Sequence, residues 1–223
     1  MLNKMKYHIK QGIWQTSQQA LISFRHEKRF MGIFTQIENE NPMAIESPCE
    51  ALTLSRLVTA TEKIEGDIAE VGVFRGGGAK IMCEYNRKEK NLHLFDRFEE
   101  GLPSPTTDDE TVLRKGDCAA SMEGVKKYLS KYKNVGIYKG TFPHTSDPII
   151  NKKFSLVNID VDLYEGTKDC IKFFYPRMSK GGIMVFHDYN GLNGVKKAVD
   201  EFFIDKEEPI IPLYVCQAMT VKT

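Results

Sequence analysis

Four acidic or imidazole side chains fall at the ends of two apolar runs. Asp160 and Asp162 close and follow the run 154–160, and His187 and Asp188 close the run 182–188. If the runs are neighbouring strands, the four groups gather at one sheet edge. Grouped carboxylates repel one another, so such a cluster points to a bound cation, a shared proton, or both. Asp160 and Asp188 are hard oxygen ligands of the kind that hold Mg²⁺, and His187 would equally suit Mn²⁺ or another transition metal. Against this stands a plain structural reading, in which Asp162 caps the next helix and His187 makes a strand-end hydrogen bond.

A second chemical signal lies upstream. Residues 68–73 form a short, mainly apolar run of strand type that contains Gly72, followed by Gly76, Gly77 and Gly78 and then a helical stretch from Ala79. A strand, a glycine turn and a helix N-terminus bring backbone close to a ligand and point N–H groups at it. Glu70 narrows the choice of ligand, because a pyrophosphate in this turn would meet its carboxylate at close range. Gly72 and Gly76 are spaced G-x-x-x-G, which fails the G-x-G-x-x-G dinucleotide fingerprint, and no G-x-x-x-x-G-K-[ST] loop is present. An acid here suits a ligand with an ammonium and hydroxyls but no phosphate, as in S-adenosylmethionine. The run 91–96 ends in Asp96, placed to accept from ribose hydroxyls at the carboxyl edge of the sheet. Taken alone, Asp96 fits a nicotinamide cofactor equally well.

These groups need a frame. The 223 residues are enough for one sizeable core, and a 41% hydrophobic, 27% charged composition is that of a soluble globular protein. A net charge of +1 gives no reason to expect nucleic acid. No run approaches the ~20 apolar residues of a membrane span, and no signal peptide is evident at the N-terminus. The five scattered cysteines contain no C-x-x-C and read as reduced residues of a cytoplasmic protein. Strands are expected over 68–73, 91–96, 135–139, 154–160, 182–188, 210–215 and 219–222, with helices between most of them. That alternation predicts an α/β fold with a doubly wound, mainly parallel sheet of seven strands. Ser47-Pro48-Cys49-Glu50 opens a helix with a capping box and a first-turn proline, and Asp117 is expected to cap the helix carrying Met122, Val125 and Leu129. Residues 1–47 read as a helical arm or lid ahead of a domain over 48–223. Its first part is locally basic and suits a dimerisation arm, a flap over the site, a membrane-surface helix, or a solvated helix packed on its own domain.

Several strings then arrive in order. They are Glu70-Val71-Gly72-Val73-Phe74-Arg75-Gly76-Gly77, Asp96-Arg97-Phe98-Glu99-Glu100-Gly101-Leu102-Pro103 and Asp160-Val161-Asp162-Leu163-Tyr164-Glu165-Gly166-Thr167. Tyr175-Pro176-Arg177-Met178-Ser179-Lys180-Gly181-Gly182, His187-Asp188-Tyr189 and Val195-Lys196-Lys197-Ala198-Val199-Asp200-Glu201-Phe202 follow. Over roughly residues 48–212 the chain resembles the macrocin O-methyltransferase family. The resemblance implies a class I, Rossmann-like fold and S-adenosylmethionine-dependent methylation of a hydroxyl on a sugar or glycosylated small molecule, assisted by Mg²⁺ or Mn²⁺. It places Glu70, Gly72, Gly76, Gly77 and Asp96 at the cofactor, Asp160, His187 and Asp188 at the metal, and Asp162 as general base. His187 stands where the family commonly has Asp, and Arg97 where it often has Ser. His187 could itself take the proton. A metal-site hydroxylase or a nicotinamide-dependent sugar oxidoreductase on a related fold are the alternatives, and a non-catalytic binding or assembly protein a third.

Overall fold

The structure, a computed structural model, describes residues 27–45, 47–109 and 111–223. The basic residues 1–26, on which the arm, flap and membrane-surface readings chiefly rest, lie outside the described residues. Among the described residues no helix is long and apolar enough to cross a membrane.

Alternation at period two, with apolar residues on both faces, builds the centre of the sheet. In β1 (Asp67–Val71), Ile68 points to one core while Ala69 and Val71 point to the other. β2 (Leu92–Asp96), β3 (Val135–Lys139), β4 (Phe154–Ile159) and β5 (Met178–Phe186) complete the parallel part. The order is β3-β2-β1-β4-β5-β7-β6, with β7 (Ala218–Val221) antiparallel to β5 and to the two-residue edge strand β6 (Ile211–Pro212). β6 falls short of the expected 210–215 because the chain turns back into β7 over 214–216, where Val215 takes φ +70°. The sequence order reverses between β1 and β4. That reversal is the switch point where open α/β sheets bind ligands, and it lies between the glycine turn and Asp160.

One face of the sheet is covered by α1 (Lys28–Glu40), α2 (Pro48–Ala60), α3 (Gly77–Tyr85) and α4 (Met122–Tyr128). α5 (Tyr164–Phe174) and α6 (Asn193–Phe203) cover the other. Phe30, Ile33, Phe34 and Ile37 of α1 join the same core as Ile81, Leu92 and Leu94, so this helix is a layer of the domain. α2 begins as its sequence indicates, with Pro48 in the first turn and Ser47 Oγ accepting from the Glu50 N–H at 3.4 Å. α4 does not begin at the expected cap: Ser121 Oγ accepts from Gly124 N, while Asp117 turns back to the Arg114 N–H. Three residues separate Asp117 from the cap position, Ser121, too far for its short side chain to reach the first-turn amides.

Candidate active site

The carboxyl ends of β1, β2, β4 and β5 surround a cavity of about 250 Å³. Its wall carries Glu50, Glu70, Asp96, Asp160, Asp162 and Asp188 against one arginine, Arg97, and one histidine, His187. Such a wall favours a cationic ligand.

The glycine turn owes its tightness first to the chain around it. Gly72 has φ +90°, and a Cβ there would lie 1.6 Å from the carbonyl oxygen of Asp160 on the neighbouring strand. At Gly77 a Cβ would lie 2.1 Å from the Ala44 carbonyl oxygen. Of the expected cofactor residues, Glu70, Gly72 and Asp96 line the cavity. Gly76 and Gly77 are not among its lining residues, whereas Gly78 is. Asp96 holds the turn in place: one oxygen accepts from the amides of Val73 and Phe74 at 2.7 and 2.8 Å, the other from Phe98 at 2.5 Å.

Glu70 sits opposite Asn158 in the β1–β4 register, and Asn158 Nδ2 donates to its Oε1 at 3.0 Å. Glu70 Oε2 and Asn158 Oδ1 are both buried without a hydrogen-bond partner. Two unpartnered polar oxygens in a cavity wall mark a place for polar groups of a ligand. Burial pushes the Glu70 carboxyl up to about 8; the nearby charges of Asp160 and Asp96 add to this, and the Asn158 bond opposes it.

The acids of β4 and the imidazole of β5 do meet. The amide of His187 donates to the Ile159 carbonyl at 2.9 Å, which brings the two strand ends level. His187 Nδ1 lies 3.1 Å from Asp160 Oδ1 and 2.9 Å from Asp188 Oδ2. Asp160, His187 and Asp188 each offer one ligand atom within 4.8 Å of the others. Adjacent ligands of an octahedral ion with bonds of 2.0–2.1 Å sit about 3 Å apart, so this donor set fits a small divalent cation. Burial disfavours charge on His187, but the Asp160 charge and hydrogen bonds to Asp160, Asp188 and Glu50 hold its pKa well above the ordinary value.

Asp162 also lines the cavity, with φ +62°. Burial, then the charges of Asp160 and Asp188, raise its carboxyl well above the usual range, and it is hydrogen-bonded to Asp188. It does not cap α5, whose first amide, Tyr164 N–H, donates to Asp109 Oδ1 at 2.6 Å. Three lining residues escaped the sequence reading. Asn158 carried a signal, a polar side chain inside an apolar strand. Glu50 reads in sequence as the last residue of a capping box, and Gln217, whose buried Oε1 has no partner, lies on the short β6–β7 connection.

Residues 51–214 match the macrocin-O-methyltransferase (TylF) family. Among curated relatives, the 8-demethyl-8-(2,3-dimethoxy-alpha-L-rhamnosyl)-tetracenomycin-C 4'-O-methyltransferase of Streptomyces olivaceus is 28% identical over 62% of this chain and 58% of its own. The mycinamicin III 3''-O-methyltransferase of Micromonospora griseorubida is 27% identical, over 62% and 61%. The matched stretch thus spans less than two thirds of these relatives. Among solved structures, the O-methyltransferase NovP superposes with a TM-score of 0.67 at 24% identity, covering 79% of this chain and 81% of its own. The calicheamicin methyltransferase CalS11 gives 0.69 at 18%, covering 87% and 92%. At these identities the two structures speak for the fold.

Proposed function

Because the chain belongs to the macrocin O-methyltransferase family, we propose that it moves a methyl group from S-adenosylmethionine to a hydroxyl of a sugar or glycosylated small molecule. The observation that carries this reading is a single cavity at the switch point, walled by the Glu70–Asn158 acceptor pair and the Asp160–Asp162–His187–Asp188 group. The relatives are named for acceptors of this class. Two of the fold neighbours are complexes with the demethylated donor.

In this reading Glu70 and Asn158 accept from the ammonium of the methionine tail, and Asp96 turns its remaining lone-pair capacity to the ribose. The acceptor hydroxyl enters beside Asp162. As the sulfur–methyl bond breaks and the carbon–oxygen bond forms, the hydroxyl proton passes to the Asp162 carboxylate. A base works best with a pKa near the working pH, and burial moves Asp162 in that direction. Holding the two reactants in line supplies much of the remaining acceleration. Asp160, Asp188 and His187 Nδ1 would hold Mg²⁺ or Mn²⁺, and such an ion lowers the pKa of a coordinated hydroxyl. The nicotinamide reading draws no support from the relatives, which are O-methyltransferases.

Calorimetric titration with S-adenosylmethionine, its demethylated product, NAD and ATP tests the donor. Heat is expected from the first two alone. Folded protein that binds neither would end the proposal. A donor labelled in its methyl group, offered with a panel of deoxysugar glycosides, then tests the acceptor class.

A further inference from the structure

Glu50 is 7% exposed and belongs to the first turn of α2, on the opposite side of His187 from the two aspartates. Among the described residues its one ion pair is with His187, Oε2 lying 3.3 Å from Nε2. Its other oxygen, Oε1, accepts from the Cys216 amide at 3.3 Å on the chain leading into β7. The carboxylate is thereby held at both oxygens. Burying a carboxylate is costly unless it is paired, and the capping function at this end of α2 is already met by Ser47. Cap chemistry therefore does not account for a buried acid aimed at an imidazole.

An imidazole can ligate a cation through one nitrogen only when that nitrogen is free of its proton. The hydrogen bond made by the other nitrogen selects the tautomer. In this site Nδ1 faces Asp160 and Asp188, and Nε2 faces Glu50. A carboxylate on Nε2 keeps a proton there, so that a cation displacing the Nδ1 proton meets an Nδ1 lone pair already aimed between the aspartates and made more basic. We propose that Glu50 is a positioning residue for a divalent cation held by Asp160, Asp188 and His187 Nδ1, acting through the Nε2 hydrogen bond. Glu50 and His187 then form one unit: an imidazole ligand needs an outer partner of this kind, whereas a carboxylate in its place would not. The inference rests on the cation assigned above, and its test separates the two.

Mn²⁺ is titrated calorimetrically into metal-stripped, donor-free protein, and S-adenosylmethionine binding is measured on each preparation as a check on the fold. Glu50→Gln keeps the volume of the side chain and an acceptor for Cys216, and Glu50→Asp keeps the charge but shortens the reach. Each should lower Mn²⁺ affinity about 10- to 100-fold, the loss typical of an outer-shell partner. In a His187→Asp background, which has no ring N–H to orient, Glu50→Gln should change Mn²⁺ affinity less than about threefold. Equal losses in both backgrounds would mean that Glu50 acts on α2 or the β7 approach, and the proposal fails. Unchanged affinity in the Glu50 variants of the parent chain would also overturn it while leaving the cation in place. A parent chain that binds S-adenosylmethionine but no Mn²⁺ would remove the cation and this inference together, and leave the donor site standing.

Discussion

At the scale of single residues, the most informative group is Glu70. Its carboxyl is raised from an ordinary 4.5 to about 8, by burial first and by neighbouring carboxylates second. Between those two values the folded chain holds a proton that the unfolded chain has released, so stability falls as the pH rises through that window. Glu70→Gln removes the ionisation and keeps the hydrogen bond with Asn158. The variant should therefore gain on the parent by ~2–4 kcal/mol between pH 5 and pH 8 in urea unfolding, while losing the heat of S-adenosylmethionine binding. A gain that is the same at both pH values would show Glu70 to be ionised in the fold. Asp162 is the complementary case. Asp162→Asn should cut methyl transfer about 10²- to 10⁴-fold with donor and Mn²⁺ affinities nearly unchanged. Turnover close to that of the parent would move the base to His187.

At the scale of elements, one helix begins on a residue that its own sequence does not supply. α5 starts from Leu163, which has no capping side chain, and its first amide is taken by Asp109 from the loop before α4. The other Asp109 oxygen accepts from the Thr106 amide at 2.6 Å and its hydroxyl at 3.0 Å. Asp109 is 1% exposed and Tyr164 5%, so removing Asp109 leaves the buried Tyr164 amide unpaired. Asp109→Ala should cost about 2 kcal/mol of stability, at the upper end for a lost cap. It should also raise hydrogen exchange at the amides of Thr106 and Tyr164 more than elsewhere in α5. Uniform exchange changes across the domain would argue against a local latch. α2 is legible where α5 is not, because Ser47 and Pro48 are adjacent in sequence to the turn they cap.

At the scale of the molecule, sheet order decides what meets. β4 and β5 are neighbours in the parallel sheet, and β1 lies on the other side of β4. The glycine turn, the β4 acids and His187 therefore share one edge. If that edge binds a cation, exhaustive chelation should abolish turnover, and Mg²⁺ or Mn²⁺ should restore it. Full turnover in a chelated sample shown by elemental analysis to be free of metal would take the cation out of the reaction.

Short apolar runs gave the strands, and their alternation with helices gave the α/β class, because each element's pattern is written in residues a few positions apart. Glu70, Asp96, Asp160, Asp162, His187 and Asp188 were visible for the same reason, each standing as a polar group at the end of an apolar run. Partnerships across the chain were not visible. Glu50 facing His187, Asn158 facing Glu70 and Asp109 capping α5 each join segments far apart in sequence. No local periodicity encodes which side chains face each other once helices have packed on a sheet. Only strand order, register and the seating of α2 against the sheet edge decide that Glu50, which reads as a helix cap, is spent on an imidazole.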